Sequence, residues 1–270
     1  MTAALAAAEQ PGEFRVYAIR YATRNGVRGQ HFHGWDGREA EPHPTSYFVW
    51  LARSATSTVL IDAGMSPRRS APVPEIDYRG SPPELLDELG VAPGEVDFVV
   101  LTHLHYDHTG TAFDFPNASI LIQQKELDYW TGPDAARNTR EAWLSDPEDV
   151  AEVERRTRDG RATAIDGDSE IVPGLSVHLV GGHTAGMQVV RIATSKGAVV
   201  IASDASHYFE NIEGDRPFAI LHDVPGMFHA FDRITELADG SGHVIPGHDP
   251  AVFDRYPALD GQPGRVAVIA

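Results

Sequence analysis

Val99-Val100-Leu101-Thr102-His103-Leu104-His105-Tyr106-Asp107-His108-Thr109-Gly110 runs an apolar strand into four candidate metal ligands, His103, His105, Asp107 and His108, and closes on a Thr-Gly turn. Imidazole and carboxylate are donors that zinc, manganese or iron accept. A loop at a strand end lets neighbouring side chains converge, where the strand itself would send them to opposite faces. With 13 histidines in 270 residues, an H-x-H-x-D-H run arises by chance in about two such chains in a thousand.

Working outward, three further segments end apolar runs with a single ligand-type residue. Val180-Gly181-Gly182-His183-Thr184 places a histidine in a Gly-rich turn, Val199-Val200-Ile201-Ala202-Ser203-Asp204 ends on an aspartate, and Val244-Ile245-Pro246-Gly247-His248 sets a histidine just past a strand. Each alone reads as a turn residue. Their shared position at strand ends turns them into candidates for one site.

Short β-rich runs cover Phe14 to Arg20, Tyr47 to Ala52, Thr58 to Asp62, Phe98 to Thr102, Ile120 to Gln123, Leu175 to Val180, Val189 to Ala193, Val199 to Ala202 and His243 to Ile245. Helices are fewer: Ser81 to Gly90, with Ser81 as N-cap and Gly90 as stop, Asp149 to Arg158, and Met227 to Leu237. Strands partly adjacent and partly separated by helices predict an α/β (α+β) protein of mixed sheets with helices outside. A disordered tail is expected over 1–13 and a single domain over 14–270, with two pocket-covering loops, 22–45 and 130–168.

The 22 Lys+Arg against 39 Asp+Glu leave a formal charge of −17. Such a field repels phosphate backbones and anionic lipid, so neither nucleic acid nor membrane is expected as a partner. The absence of cysteine removes thiol nucleophiles, disulfides and zinc fingers. The first residues, apolar but without a basic flank, do not read as an export signal, and no run of about 18 apolar residues predicts a membrane span. A cytoplasmic location is the expectation.

The T-H-x-H-x-D-H run, the later G-H-T, the strand-terminal aspartate and the final P-G-H together resemble the metallo-β-lactamase superfamily, over about Thr58 to Pro250. The resemblance implies an αββα sandwich of two mixed β-sheets with a metal site at one rim. It assigns His103, His105 and His183 to one metal, Asp107, His108 and His248 to a second, and Asp204 as the bridge. Asp62, in Leu60-Ile61-Asp62-Ala63-Gly64, matches a D-x-G turn and would orient a ligand histidine from behind. Two divalent ions are implied, with zinc the first choice and manganese, cobalt or iron also suited to the donors.

Within the superfamily, Ser203-Asp204-Ala205-Ser206-His207-Tyr208 is most similar to the N-acyl-homoserine lactonase group, whose members act in quorum quenching. That group commonly has tyrosine three residues after the aspartate, where this chain has His207 followed by Tyr208. The implied reaction is opening of a lactone by a metal-bridging hydroxide. His207 or Tyr208 would assist at the carbonyl, and Asp107 would pass a proton to the leaving alkoxide. A small neutral lactone or ester is the expected substrate and a monomer or homodimer the expected state. The alternatives are a thioesterase resembling glyoxalase II, a β-lactamase-like hydrolase, or a metal-binding or sensing protein without turnover. Tyr106, Met65 and Phe209 are candidates for the pocket lining. His31 and His33 read as exposed histidines, and Asp249 as either a turn residue or a partner of a ligand.

Overall fold

The computed structural model describes residues 5–240 and 243–270. Its strands are β1 (Arg15–Arg24), β2 (Thr45–Arg53), β3 (Thr58–Ile61), β4 (Ile76–Tyr78), β5 (Phe98–Val100), β6 (Ser119–Gln123), β7 (Ala162–Ile165), β8 (Ser169–Val172), β9 (Leu175–Leu179), β10 (Gln188–Thr194), β11 (Gly197–Ser203), β12 (His243–Pro246) and β13 (Val266–Val268). One sheet has eight strands in the order β13-β1-β2-β3-β5-β6-β7, with β4 pairing the far end of β1. The other has five, β12-β11-β10-β9-β8. Pairing is parallel from β3 through β7 and between β11 and β12, and antiparallel elsewhere, so both sheets are mixed.

Alternation along each strand builds the layers. In β1, Val16 and Ala18 point into the space between the sheets while Tyr17, Ile19 and Tyr21 point to the other face. In β2, Phe48, Trp50 and Ala52 go inward and Val49 and Leu51 outward. The second sheet repeats the rule, with Val190, Ile192, Val199 and Ile201 inward and Val189, Val200 and Ala202 outward. Both faces of these strands are largely buried, which is why they read as nearly continuous apolar runs, with Arg191 the interruption in β10. The outer face of the eight-stranded sheet is covered by the helices Pro82–Glu88, Gln124–Thr131 and Pro147–Arg158 through Leu85, Leu86, Leu127, Val150 and Val153. The helix Val224–Leu237 covers the other sheet through Ala230, Ile234 and Leu237. The result is the expected αββα sandwich. Each large side chain enclosed in it contributes about 1.5–3 kcal/mol.

Local signals hold at the helix ends. Ser81 caps its helix, its backbone N and its hydroxyl both donating to Glu84 Oε2 at 3.0 and 2.7 Å. Two helices begin earlier than their apolar periodicity suggests, at Pro147 and Val224, because Asp146 and Asp223 accept the backbone N–H groups of Glu148 and Gly226. Four strands escape the sequence pattern, β4 and β8 because charged residues interrupt them and β7 and β13 because they are only four and three residues long. Among the described residues no helix is long and apolar enough to cross a membrane.

The expected tail needs correction. Residues 1–4 lie outside the described residues, but from residue 5 on the segment is laid against the sandwich. Leu5 is buried beside Leu86 and Leu89, Ala8 N donates to Arg53 O at 3.0 Å, and Tyr17 and Arg53 donate to the carbonyls of Ala6 and Leu5. These partners lie far along the chain, so local composition gives no sign of them.

Candidate metal centre

The loops that leave β3, β5, β9, β11 and β12 meet at one rim of the sandwich. His103 and His105 stand on the extended segment after β5, and one short helical turn, Tyr106–Thr109, brings Asp107 and His108 round beside them. That turn is fixed from outside: Tyr21 Oη donates to Asp107 O at 2.9 Å and Ala63 N to His108 O at 2.7 Å. His183 follows two glycines with positive φ. A side chain at Gly182 would meet the backbone of Gly226 and Met227 at 2.8 Å. His248 follows Gly247, where a Cβ would lie 2.6 Å from Asp204 Oδ1. The backbone can approach the carboxylate this closely only because the residue is glycine.

Seven expected ligands fall into two groups whose ligand atoms all lie within 4.8 Å of one another. One holds His103, His105, His183 and Asp204, and the other Asp107, His108 and His248. Asp204 lies between them. Its Oδ2 is 3.8 Å from His103 Nε2 and 3.4 Å from His183 Nε2, and its Oδ1 is 3.3 Å from His108 Nε2 and 3.0 Å from His248 Nε2. Four imidazoles are oriented from behind through Nδ1: His103 by Thr102 Oγ1 (3.0 Å), His108 by Asp62 Oδ2 (2.8 Å), His183 by Ile220 O (2.9 Å) and His248 by Ser46 O (2.9 Å). Their Nε2 atoms are left facing Asp204, while His105 presents Nδ1, 3.1 Å from His183 Nε2.

Asp62 does what a residue behind a ligand should do. Buried and left-handed at φ 58, it accepts from Thr102 N, Thr102 Oγ1, Ser203 Oγ and His108 Nδ1 at 2.8–2.9 Å. One carboxylate thereby joins the ends of β3, β5 and β11 to a ligand ring.

His103 Nε2, His108 Nε2 and Asp204 Oδ1 are buried with no aligned hydrogen-bond partner. A buried lone pair without a donor is costly unless a cation takes it. Burial pushes His103, His105 and His183 down, which keeps them in the neutral, metal-binding form. At His108 and His248 burial acts the same way, but Asp204 and other nearby carboxylates outweigh it and raise both. Burial works against the charged form of Asp204 as well, yet His207, His248 and His108 hold it well below the usual carboxylate range. Protons and divalent cations compete for these lone pairs. The donor set fits two such ions.

Sequence reasoning left His207 and Tyr208 open, and the structure separates them. His207 Nε2 sits 2.9 Å from Asp204 Oδ2, its ring stacked on Phe218 with centroids 3.3 Å apart. It forms a third close group with Asp204 and His248. Tyr208 also lines the cavity over the cluster, but its hydroxyl is engaged 3.0 Å from Thr45 Oγ1, and burial pushes its phenol far above the ordinary value.

A cavity of about 90 Å3 opens over the cluster, with Tyr106, Trp143, Leu144, Phe218 and Ile220 among its walls. Both expected loops contribute to it, one through Gln30, His31 and Thr45, the other through Trp143 and Leu144. Three expectations are corrected here. His31 is buried and faces the cavity, because Phe218 and Tyr208 pack on its ring; His33 is exposed as expected. Met65 and Phe209 belong to the core on either side of the eight-stranded sheet. Asp249 holds backbone, accepting from Phe209 N and Ala251 N.

Sequence reasoning missed Glu126. This fully buried carboxylate accepts from Leu104 N (3.0 Å), Gly186 N (2.8 Å) and Trp130 Nε1 (2.8 Å), which ties the His103–His105 segment to the His183 loop.

Similarity to known proteins follows the same lines. The chain is 33% identical to an N-acyl homoserine lactonase of Bacillus cereus over 136 residues, 50% of this chain and 48% of that protein. It is 28% identical to the N-acyl homoserine lactonase AiiB of Agrobacterium fabrum over 230 residues, 76% and 80% of the two chains. The match therefore spans about half the length of the Bacillus relative. The fold is similar to that of a quorum-quenching N-acyl homoserine lactone lactonase, with a TM-score of 0.70 at 23% identity over 92% and 93% of the two chains. The family model of the metallo-beta-lactamase superfamily matches residues 43–255. The chain belongs to the metallo-beta-lactamase superfamily.

Proposed function

We propose that the protein is a metal-dependent hydrolase that opens lactones, of the N-acyl-homoserine type or related small rings. His103, His105 and His183 hold one ion, Asp107, His108 and His248 the other, and Asp204 lies between them. The observation that carries this reading is the set of oriented imidazole nitrogens turned on one buried carboxylate, beneath a cavity whose walls are part apolar and part polar. Similarity to lactonases from two genera supports the choice of bond. Zinc is the metal we favour, since neutral imidazoles with few carboxylates suit it.

When bound, two divalent ions would lower the pKa of a water and polarise the carbonyl. The chain's own residues do the rest. Tyr106, Leu144, Phe218 and Ile220 exclude bulk water and seat the ring. His207, kept neutral by burial, lies 2.9 Å from Asp204 Oδ2 and lines the cavity, from which its imidazole would assist at the substrate carbonyl. Asp107, largely buried and lining the cavity, takes a proton and returns it to the leaving alkoxide.

The test is a hydrolysis screen of zinc-, manganese- and iron-loaded protein on acyl-homoserine lactones of several chain lengths, simple γ-lactones, thioesters and β-lactams. Turnover on lactones above all others is the expected result. Turnover on a thioester or β-lactam with every lactone inert would overturn it.

A further inference from the structure

Arg24, at the end of β1, faces Thr45 across the β1–β2 ladder and lines the cavity above the metal centre together with Tyr106, Asp107 and Trp143. It also lines a neighbouring groove of about 230 Å3 walled by Pro72, Val73, Pro74, Tyr106 and Trp143, so the guanidinium stands where the two spaces join. Among the described residues no carboxylate pairs with it, no acceptor bonds to it, and its Nε is buried without a partner.

Arg20, on the same strand, shares the buried unpartnered Nε but has a terminal nitrogen 3.5 Å from Ser46 Oγ and lies over the Phe253 ring, and Arg28, four residues on, differs altogether. Arg28 is buried and satisfied, with Nε 2.5 Å from Asp36 Oδ2 and its two terminal nitrogens 2.8 and 2.6 Å from the two oxygens of Glu210. Arg69, which shares the groove, is engaged as well, bonded to Trp143 O and 3.5 Å from Asp146. In a chain with 39 acidic residues, a half-buried guanidinium kept clear of all of them at the mouth of a site is a cation held for a ligand.

We infer that Arg24 anchors a carboxylate on the substrate, so that the lactones this site prefers carry an anionic group a few bonds from the scissile carbonyl. The inference rests on the lactonase reading and narrows it, from the neutral N-acyl-homoserine type to the related small rings that carry a carboxylate. A planar guanidinium takes a carboxylate through two parallel N–H···O bonds, a geometry a neutral ring substituent does not offer. The local balance agrees: two divalent ions would be offset by Asp107, Asp204, a hydroxide and Asp62 behind His108, so the charge of Arg24 is the one left over at the mouth of the site. The exterior is acidic while the pocket is cationic, so the neutral substrate that the net charge suggests gives way to an anionic one.

The experiment uses zinc-loaded protein and two lactones, γ-butyrolactone-γ-carboxylate and γ-valerolactone, which carry a carboxylate or a methyl at the same ring carbon. Wild type is expected to open the carboxylated ring with a kcat/KM about tenfold or more above the neutral one, the size of a charge-assisted pair. Arg24→Gln brings that ratio toward one, and Arg24→Lys leaves it between. In parallel, calorimetry with glutarate and pentanoate reads the second carboxylate without any turnover, and the same preference, lost in Arg24→Gln, is expected. Equal or reversed preference in wild type, or a preference that survives Arg24→Gln, overturns the anchor. Inert lactones with the glutarate preference intact overturn the lactonase reading and leave the anion anchor standing.

Discussion

Asp62 Oδ2 lies 2.8 Å from His108 Nδ1, and the same carboxylate gathers Thr102 and Ser203 from two other strand ends. His108 therefore owes the direction of its Nε2 to a residue at the end of another strand. Asp62→Asn tolerates the left-handed backbone but replaces one acceptor by a donor and removes the charge. Metal affinity is expected to fall by about 10- to 100-fold, read by competition with a chromophoric chelator, while the circular dichroism spectrum stays that of wild type. Unchanged affinity would mean that His108 is oriented by packing alone.

Glu126 binds the two ligand loops to each other. Glu126→Ala leaves the N–H groups of Leu104 and Gly186 buried without an acceptor and frees the half-buried Nε1 of Trp130. Each buried orphan costs about 1–3 kcal/mol, so a total loss of about 2–6 kcal/mol is expected in urea unfolding, and a smaller one for Glu126→Gln, which keeps one oxygen. If Glu126→Ala unfolds at the wild-type midpoint, the loops are held by something else.

His31 gives a pH dependence of known sign. Burial, with His43 and Arg24 adding to it, pushes its imidazole down from 6.5 to about 3. Between those values the unfolded chain binds a proton that the folded chain refuses, so stability falls as pH drops below 6.5 and is unaffected above it. One such group contributes a slope of at most about 1.4 kcal/mol per pH unit. Comparing chelator-treated wild type and His31→Gln at pH 7.5 and 5.0 in urea, the variant is expected to lose less stability on acidification. Equal losses would place His31 in solvent.

Much of this was legible in the chain, and the limits have physical causes. The ligand motif could be read because loops at strand ends keep their ligands close in sequence. The sandwich could be read because strands largely buried on both faces are nearly continuous apolar runs. Glu126 escaped because Gln124-Lys125-Glu126-Leu127-Asp128 looks like a solvated helix start, and its burial comes from partners 22 and 60 residues away. Arg24 escaped for the opposite reason. What marks it is the absence of a partner, and only a folded chain shows which charges remain unpaired.

His207 and Tyr208 are told apart by what they touch. His207 stands against Asp204 and Phe218, while Tyr208 is bonded to Thr45. His207→Ala should lower kcat on a lactone by about 100-fold or more, as loss of a group acting at the carbonyl does. Tyr208→Phe should change it by less than about tenfold and cost about 1 kcal/mol of stability through the lost hydrogen bond. Metal content measured beside kcat separates loss of chemistry from loss of ions, since His207 also lies within ligand reach of Asp204 and His248. His207→Tyr, which puts a phenol at the third position after Asp204, is expected to keep more activity than His207→Ala. If Tyr208→Phe proves the more damaging change at full metal content, the phenol and not the imidazole works on the substrate.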